Sequence, residues 1–216
     1  VVFDIPPFAT LDEHGVIYGR MVDAFKTIAD QQQLKYDLRL LPWIRAQEMG
    51  RTGQADILPL CARDEDRSQY FFFTKPFDYA DMVFVTKTKE DFEQFTTFET
   101  LKGFGPLVGT TSGYITESYM KQAGLQGYQR IFKNENSLEM LNIGRMRVYI
   151  GLRDVIEKLQ EGVPEEKYFV RHILRINATM CVSRQNPMGL ELVKSLNHGI
   201  DHFLMHEKEI SAALKK

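Results

Sequence analysis

Three histidines, His198, His202 and His206, recur at every fourth residue towards the end of the sequence. Two imidazoles spaced i, i+4 on a helix can grip a transition-metal ion. Leu196, Ile200, Phe203 and Leu204 form the opposite, apolar face of the same stretch, so the imidazoles are expected to face water and no metal is assigned to them. Cys61 and Cys181 lie too far apart for a Cys-x-x-Cys motif and are either two buried thiols or one bridge. A different chemistry is carried by Gly113-Tyr114-Ile115-Thr116, a turn that opens a helix. The first amides of a helix have no partner within it and the dipole is positive there, so this turn favours an anionic group. The sequence contains no Gly-x-Ser-x-Gly elbow, no His-Glu-x-x-His and no phosphate-cradling glycine loop.

The elements that would position these residues alternate between helix and strand. Met21, Val22, Phe25, Ile28 and Ala29 recur at helical spacing over 19–32, followed by strand pattern over 36–41 that stops at Pro42. A helix over 43–51, a glycine at 53 and a buried-strand run over 55–60 complete a βαβαβ order, which predicts a parallel sheet. An extended stretch over 77–85 leads through a polar run at 86–94 into a second, smaller α/β unit. Its strands are expected at 107–112, 128–132 and 146–150, and its helices at 114–122 and 137–142. A strand over 176–183 crosses back, and two helices over 187–203 and 207–214 finish the chain. The organisation expected is a discontinuous first lobe, 1–86 with 180–216, and an inserted second lobe, 87–179.

Composition narrows the function classes. With 216 residues and 44% hydrophobic content the chain can bury two small cores. Lys+Arg 27 against Asp+Glu 29 leaves a net charge of −2 without a basic stripe, so a grip on nucleic acid or anionic lipid is unsupported. No apolar run approaches the roughly 18 residues needed to span a bilayer. The first residues lack the features of a signal peptide, which points to a processed chain or an excised ectodomain.

Five segments, taken in order and spacing, resemble the periplasmic amino-acid-binding proteins, the type II solute-binding proteins of ABC importers (extracellular solute-binding family 3). They are Pro6-Pro7-Phe8, Gly19 with Val22-Asp23-Ala24-Phe25, Pro42-Trp43, Gly53-Gln54-Ala55-Asp56, and Arg67 followed by Phe73-Thr74-Lys75-Pro76-Phe77. Leu101-Lys102-Gly103, the pair Gly109 and Gly113, and Gly144-Arg145 extend the resemblance over nearly the whole chain. It implies an α/β fold of the periplasmic binding protein-like II type, with two Rossmann-like lobes joined by two extended hinge crossings and a solute enclosed on closure.

The resemblance also implies site residues. Ligands of open α/β sheets sit beyond the carboxyl ends of the strands, which in the first lobe nominates Ile5, Phe8, Trp43, Leu60, Cys61, Ala62 and Arg67. Arg67 stands where the family places the guanidinium that grips a ligand carboxylate, and its planar fork can make two charge-assisted hydrogen bonds; the bland alternative is a surface arginine within the charged run 63–67. Trp43 is either an apolar wall of the pocket or a core aromatic. In the second lobe Gly113, Tyr114, Ile115 and Thr116 would complete a carboxylate clamp, with Tyr114 and Ile115 standing where many relatives carry hydroxyls; the Gly109-Thr110-Thr111 tripeptide comes four residues too early. Members that bind α-amino acids usually place a carboxylate about eight residues after the glycine of Gly-Arg, and here that position is Leu152, followed by Arg153 and Asp154. Burying an ammonium without a counter-charge is costly, so the solute is expected to carry an anionic group without being a standard free α-amino acid.

These implications make the chain a periplasmic receptor, its signal peptide already removed, that works as a monomer, uses no cofactor and delivers its solute to the membrane permease of an ABC importer. The alternatives are the sensor ectodomain of a membrane signalling protein and a cleft enzyme such as a dehydratase. For the enzyme, Asp64 and Asp154 are the only carboxylates near the aligned positions and make no obvious acid–base pair.

Overall fold

The computed structural model describes residues 1–161 and 168–213. The chain divides into two compact units, Val1–Tyr79 with Asn177–Lys216, and Ala80–Ile176. It is a mixed α/β protein, as the alternating pattern predicts.

Unit 1 begins with a two-residue hairpin, β1 (Thr10–Leu11) and β2 (Ile17–Tyr18), and then forms α1 (Arg20–Gln31), whose Met21, Val22, Phe25, Ile28 and Ala29 are buried as their spacing predicts. Gly19 precedes α1 with φ 129°, and a Cβ there would lie 2.6 Å from the Phe8 carbonyl oxygen, so both conformation and space demand glycine. After α2 (Trp43–Arg51) come β3 (Ile57–Cys61), α3 (Glu65–Ser68) and β4 (Phe71–Phe73). The strand expected over 36–41 does not form. A single parallel bridge joins Leu40 to Val2, because only one side of that segment meets another backbone while Lys35, Asp37 and Arg39 face water.

The chain leaves unit 1 along β5 (Asp78–Thr86) and returns along β9 (Phe169–Ser183). Both β3 and β4 pair antiparallel with the end of β9. A strand from outside the βαβαβ order thus runs antiparallel to β3 and β4, while within that order the bridge between Val2 and Leu40 is parallel. The unit boundaries, after Tyr79 and after Ile176, fall inside β5 and β9, a few residues before the lobe boundaries expected after 86 and 179, and Met82 to Thr86 pair with β8 of unit 2.

Unit 2 runs through α4 (Lys89–Gln94), two one-turn 3₁₀ helices, β6 (Val108–Thr111), α5 (Ile115–Gln122), β7 (Gln129–Ile131), α6 (Glu135–Asn142), β8 (Val148–Leu152) and α7 (Arg153–Gln160). Its sheet has the order β5-β8-β6-β7, with β8, β6 and β7 parallel and β5 antiparallel to β8. Val83, Val85, Ile131, Leu138, Leu141, Met146, Tyr149 and Ile156 form its core. The helix α4 lies within a run that reads as merely polar, and its start is fixed by the Thr88 side chain, which accepts the Asp91 N–H.

The chain closes with one helix, α8 (Gly189–Ala213), where two were expected. No glycine or proline separates Phe203 from Glu207, so nothing in the sequence breaks the helix there, while the anticipated end at residue 214 lies outside the described residues. Leu196 and Ile200 are buried on its inner face, against α1.

Candidate functional site

In unit 1, Leu60, Cys61, Ala62 and Arg67 stand at and just beyond the carboxyl end of β3, and Trp43 meets the Arg67 guanidinium. The strand stops at Cys61, which is bridged to Cys181 on β9, so the alternative of two buried thiols is removed. Three residues on, the Asp64 carboxylate accepts the Arg67 N–H at 2.7 Å and caps the short α3. That cap throws the Arg67 side chain back over the strand end. Its Nη1 donates to the Ala62 carbonyl at 2.7 Å, its Nε stands 3.5 Å from Asp64 Oδ2, and its guanidinium lies 5.2 Å from the centre of the Trp43 ring.

Arg67 is only 7% exposed, which rules out an ordinary surface arginine. Burial pulls its pKa below the ordinary guanidinium value, and the charges of Asp64 and Asp66 work in the opposite direction. Trp43 is buried as well, 4.3 Å from the Phe3 ring. It is a core aromatic that at the same time supports the guanidinium, and the face toward Arg67 is cation–π in character. Leu60 and Ala62 are half-buried beside it.

Ile5 and Phe8 sit deeper. Both side chains are fully enclosed, and the Phe8 ring carries the Arg20 guanidinium at 4.9 Å, which is held in turn by Asp78. The Ile5 carbonyl accepts the N–H groups of Phe8 and Ala9. The Cys61 sulfur is committed to the disulfide, and its carbonyl accepts the Thr179 hydroxyl at 3.0 Å.

In unit 2 the corresponding end of the parallel strands is built around β6 and α5. Gly113 takes φ 74°, the left-handed conformation that turns the chain from strand to helix, and Tyr114 is the N-cap. The opening amides are not all available to an outside anion. Gly113 N–H donates to Glu117 Oε2 at 2.6 Å, a reach-back that resembles a capping box. The other oxygen of Glu117 accepts from Arg130 Nε at 2.6 Å and from the Tyr128 hydroxyl at 3.2 Å. Burial works to raise the Glu117 pKa, but the bonds from Arg130, Gly113 and Tyr128 and the Arg130 charge outweigh it and hold the carboxyl below its ordinary 4.5. The N–H groups of Ile115 and Thr116 lie in the first turn of α5, where the helix itself offers them no i−4 carbonyl.

Beneath this turn lies a hydroxyl network that sequence reasoning passed over. Thr110 Oγ1 is 2.5 Å from Thr116 Oγ1 and donates to the Ile150 carbonyl. Thr111 Oγ1 donates to Asn134 Oδ1 at 2.7 Å and lies 2.6 Å from the Tyr149 hydroxyl, while Asn134 Nδ2 donates to the Tyr114 hydroxyl at 3.0 Å. Tyr114 is thereby pinned at the helix opening. The displaced Gly-Thr-Thr tripeptide thus has a role of its own, holding the turn from below. Leu152 ends β8 as the N-cap of α7, and Arg153 begins that helix with Nη1 3.9 Å from Glu157.

The mixed α/β fold agrees with what the whole sequence matches: the chain belongs to the bacterial extracellular solute-binding proteins, family 3, whose model covers residues 1–216. Among solved structures it is similar to a histidine kinase sensor domain with similarity to periplasmic binding proteins, at 18% identity and TM-score 0.83, covering 100% of this chain and 94% of that one. It is also similar to the arginine-bound form of ArgBP from T. maritima, at 20% identity and TM-score 0.75, covering 93% and 94%. A third similar structure is an ancestral amino acid-binding protein described as a precursor of cyclohexadienyl dehydratase, at 19% identity and TM-score 0.74, covering 94% and 88%. No curated protein matches the chain. Among the described residues no helix is long and apolar enough to cross a membrane.

Proposed function

We propose that this family member is a periplasmic receptor that binds a small carboxylate-bearing solute, without converting it, and hands it to the permease of an ABC importer. The observation that carries this is the buried Arg67 guanidinium, aimed by the Asp64 cap and the Ala62 carbonyl and backed by Trp43. A buried, pre-oriented fork is the form of arginine suited to a carboxylate. On the unit 1 side the half-buried Leu60 and Ala62 are the residues able to touch the solute, whereas Ile5, Phe8 and Cys61, enclosed in the core, do not reach it. Gly113, Tyr114, Ile115 and Thr116 supply the unit 2 contacts, with the amides of Ile115 and Thr116 as anion donors. Leu152 and Arg153 stand where an ammonium partner would be expected, which favours a solute without a free α-ammonium group.

Calorimetric titration decides this. Carboxylic acids lacking the α-amino group should bind, and Arg67→Met should abolish their binding. Submicromolar binding of any common amino acid would refute the solute class, and mass spectrometry of a copurifying small molecule would name the solute directly.

A sensor ectodomain is the second reading, favoured by the similarity to a histidine kinase sensor domain over the full chain. A membrane span or kinase module encoded directly after Lys216 would select it. A signal peptide before Val1 and a stop soon after Lys216 would select the free receptor.

A further inference from the structure

Outside the solute site, the outer face of α8 carries a pair of imidazoles in an arrangement that solvent exposure does not by itself explain. His198 and His202 turn their Nε2 atoms toward each other, 3.2 Å apart, with the ring planes nearly perpendicular. Both rings are exposed, on consecutive turns of α8. Between them, a Cβ at Gly199 would lie 2.9 Å from an Ile28 methyl, so α8 is seated directly on α1 at this turn. Lys75 ties the flanks: its N–H donates to Asn197 Oδ1 at 2.7 Å and its ammonium binds Asp201 at 2.7 Å.

Two nitrogens held on one divalent ion at 2.0–2.1 Å span about 2.9 Å at a right angle and about 3.4 Å at a tetrahedral angle. The observed separation lies between these limits, and imidazole is a preferred donor for zinc, nickel and copper. We infer that His198 and His202 form a two-imidazole site for a divalent first-row transition ion on the outer face of α8. Each ring binds through Nε2 and keeps its proton on Nδ1, and water fills the other coordination positions because the face is open. Among the described residues no group of three or more His, Cys, Asp or Glu is placed to hold one metal ion, so the site is a chelate of two side chains. His206, one turn further along, is eight residues from His198, and only side chains three or four apart are neighbours on a helix, so it does not join an ion held by His198 and His202.

Tag-free protein titrated with Zn²⁺ and with Ni²⁺ in a calorimeter tests this. One ion should bind per chain. His198→Ala and His202→Ala should each weaken binding at least about tenfold, and His206→Ala should leave it unchanged. Alanine is the best helix former, so all three variants keep the helix, which circular dichroism verifies. Absence of binding at millimolar metal, equal binding by all variants, or loss confined to His206→Ala would overturn the assignment.

Discussion

The Arg67 guanidinium lies 5.2 Å from the centre of the Trp43 ring, and Trp43 is the one tryptophan of the chain. The protein's indole emission therefore reports on the group proposed to grip the solute. Arg67→Ala removes that cation and leaves the nearly buried Asp64 carboxylate without its counter-charge. Breaking such a pair should cost about 2–4 kcal/mol, read as a lowered urea midpoint accompanied by a shift in Trp43 emission. An unchanged midpoint would mean that Asp64 is hydrated and the pair is not buried.

The bridge between Cys61 and Cys181 closes a separation of 120 residues. A covalent link of that length removes much of the unfolded chain's freedom, and its loss should destabilise the protein by about 3–5 kcal/mol. Urea unfolding with and without reductant, together with the Cys61→Ala, Cys181→Ala double variant, measures this. Two thiols titrating in the non-reduced, denatured protein would contradict the bridge.

Glu117 gives acid sensitivity to unit 2. Its folded pKa lies below the ordinary 4.5, so its stabilising contribution is fully present above that value and is lost as pH falls through the lower folded value. Glu117→Gln should be less stable than the parent at pH 7, and the difference should shrink as the pH drops below 4. Equal stability of the two at pH 7 would show that the α5 cap contributes nothing.

Tyr149 is fully buried and its phenol is pushed up to about 12, chiefly by burial, against the lowering effect of Thr111 and Ser137. The stabilisation tied to its neutral form is present below pH 10 and declines as pH rises toward 12. Spectrophotometric titration should show one tyrosine ionising about two units later than the exposed ones. Tyr149→Phe, which strips a partner from Thr111, should cost about 1–3 kcal/mol.

Much of the fold was legible in the sequence because it is written in periodicity. The α1 stripe from Met21 to Ala29 and the α2 boundaries at Trp43 and Arg51 follow from apolar spacing and Pro42. Sheet direction was not legible, since β3 meets a strand more than a hundred residues later and local pattern carries no sign of its orientation. Of the site, the Arg67 and Trp43 pair is a local matter of strand end and helix start. The Glu117 cap had a signal in the Gly113 to Glu117 spacing, which resembles a capping box. The Asn134 and Tyr149 partners had none, because they reach Thr111 from across the sheet of unit 2.

The strand β9 begins in unit 2 and ends in unit 1, and unit 1 is assembled from both ends of the chain. During synthesis the residues of unit 2 have all been made once residue 176 has emerged, whereas β3 and β4 still await the strand that pairs with them. The middle of the protein can therefore be finished before its beginning, and until β9 arrives Cys61 is a lone thiol beside two unpaired strands. A pause or truncation just after residue 176 would release a chain with one complete unit and one open edge, a form suited to capture by chaperones and to mispaired disulfides.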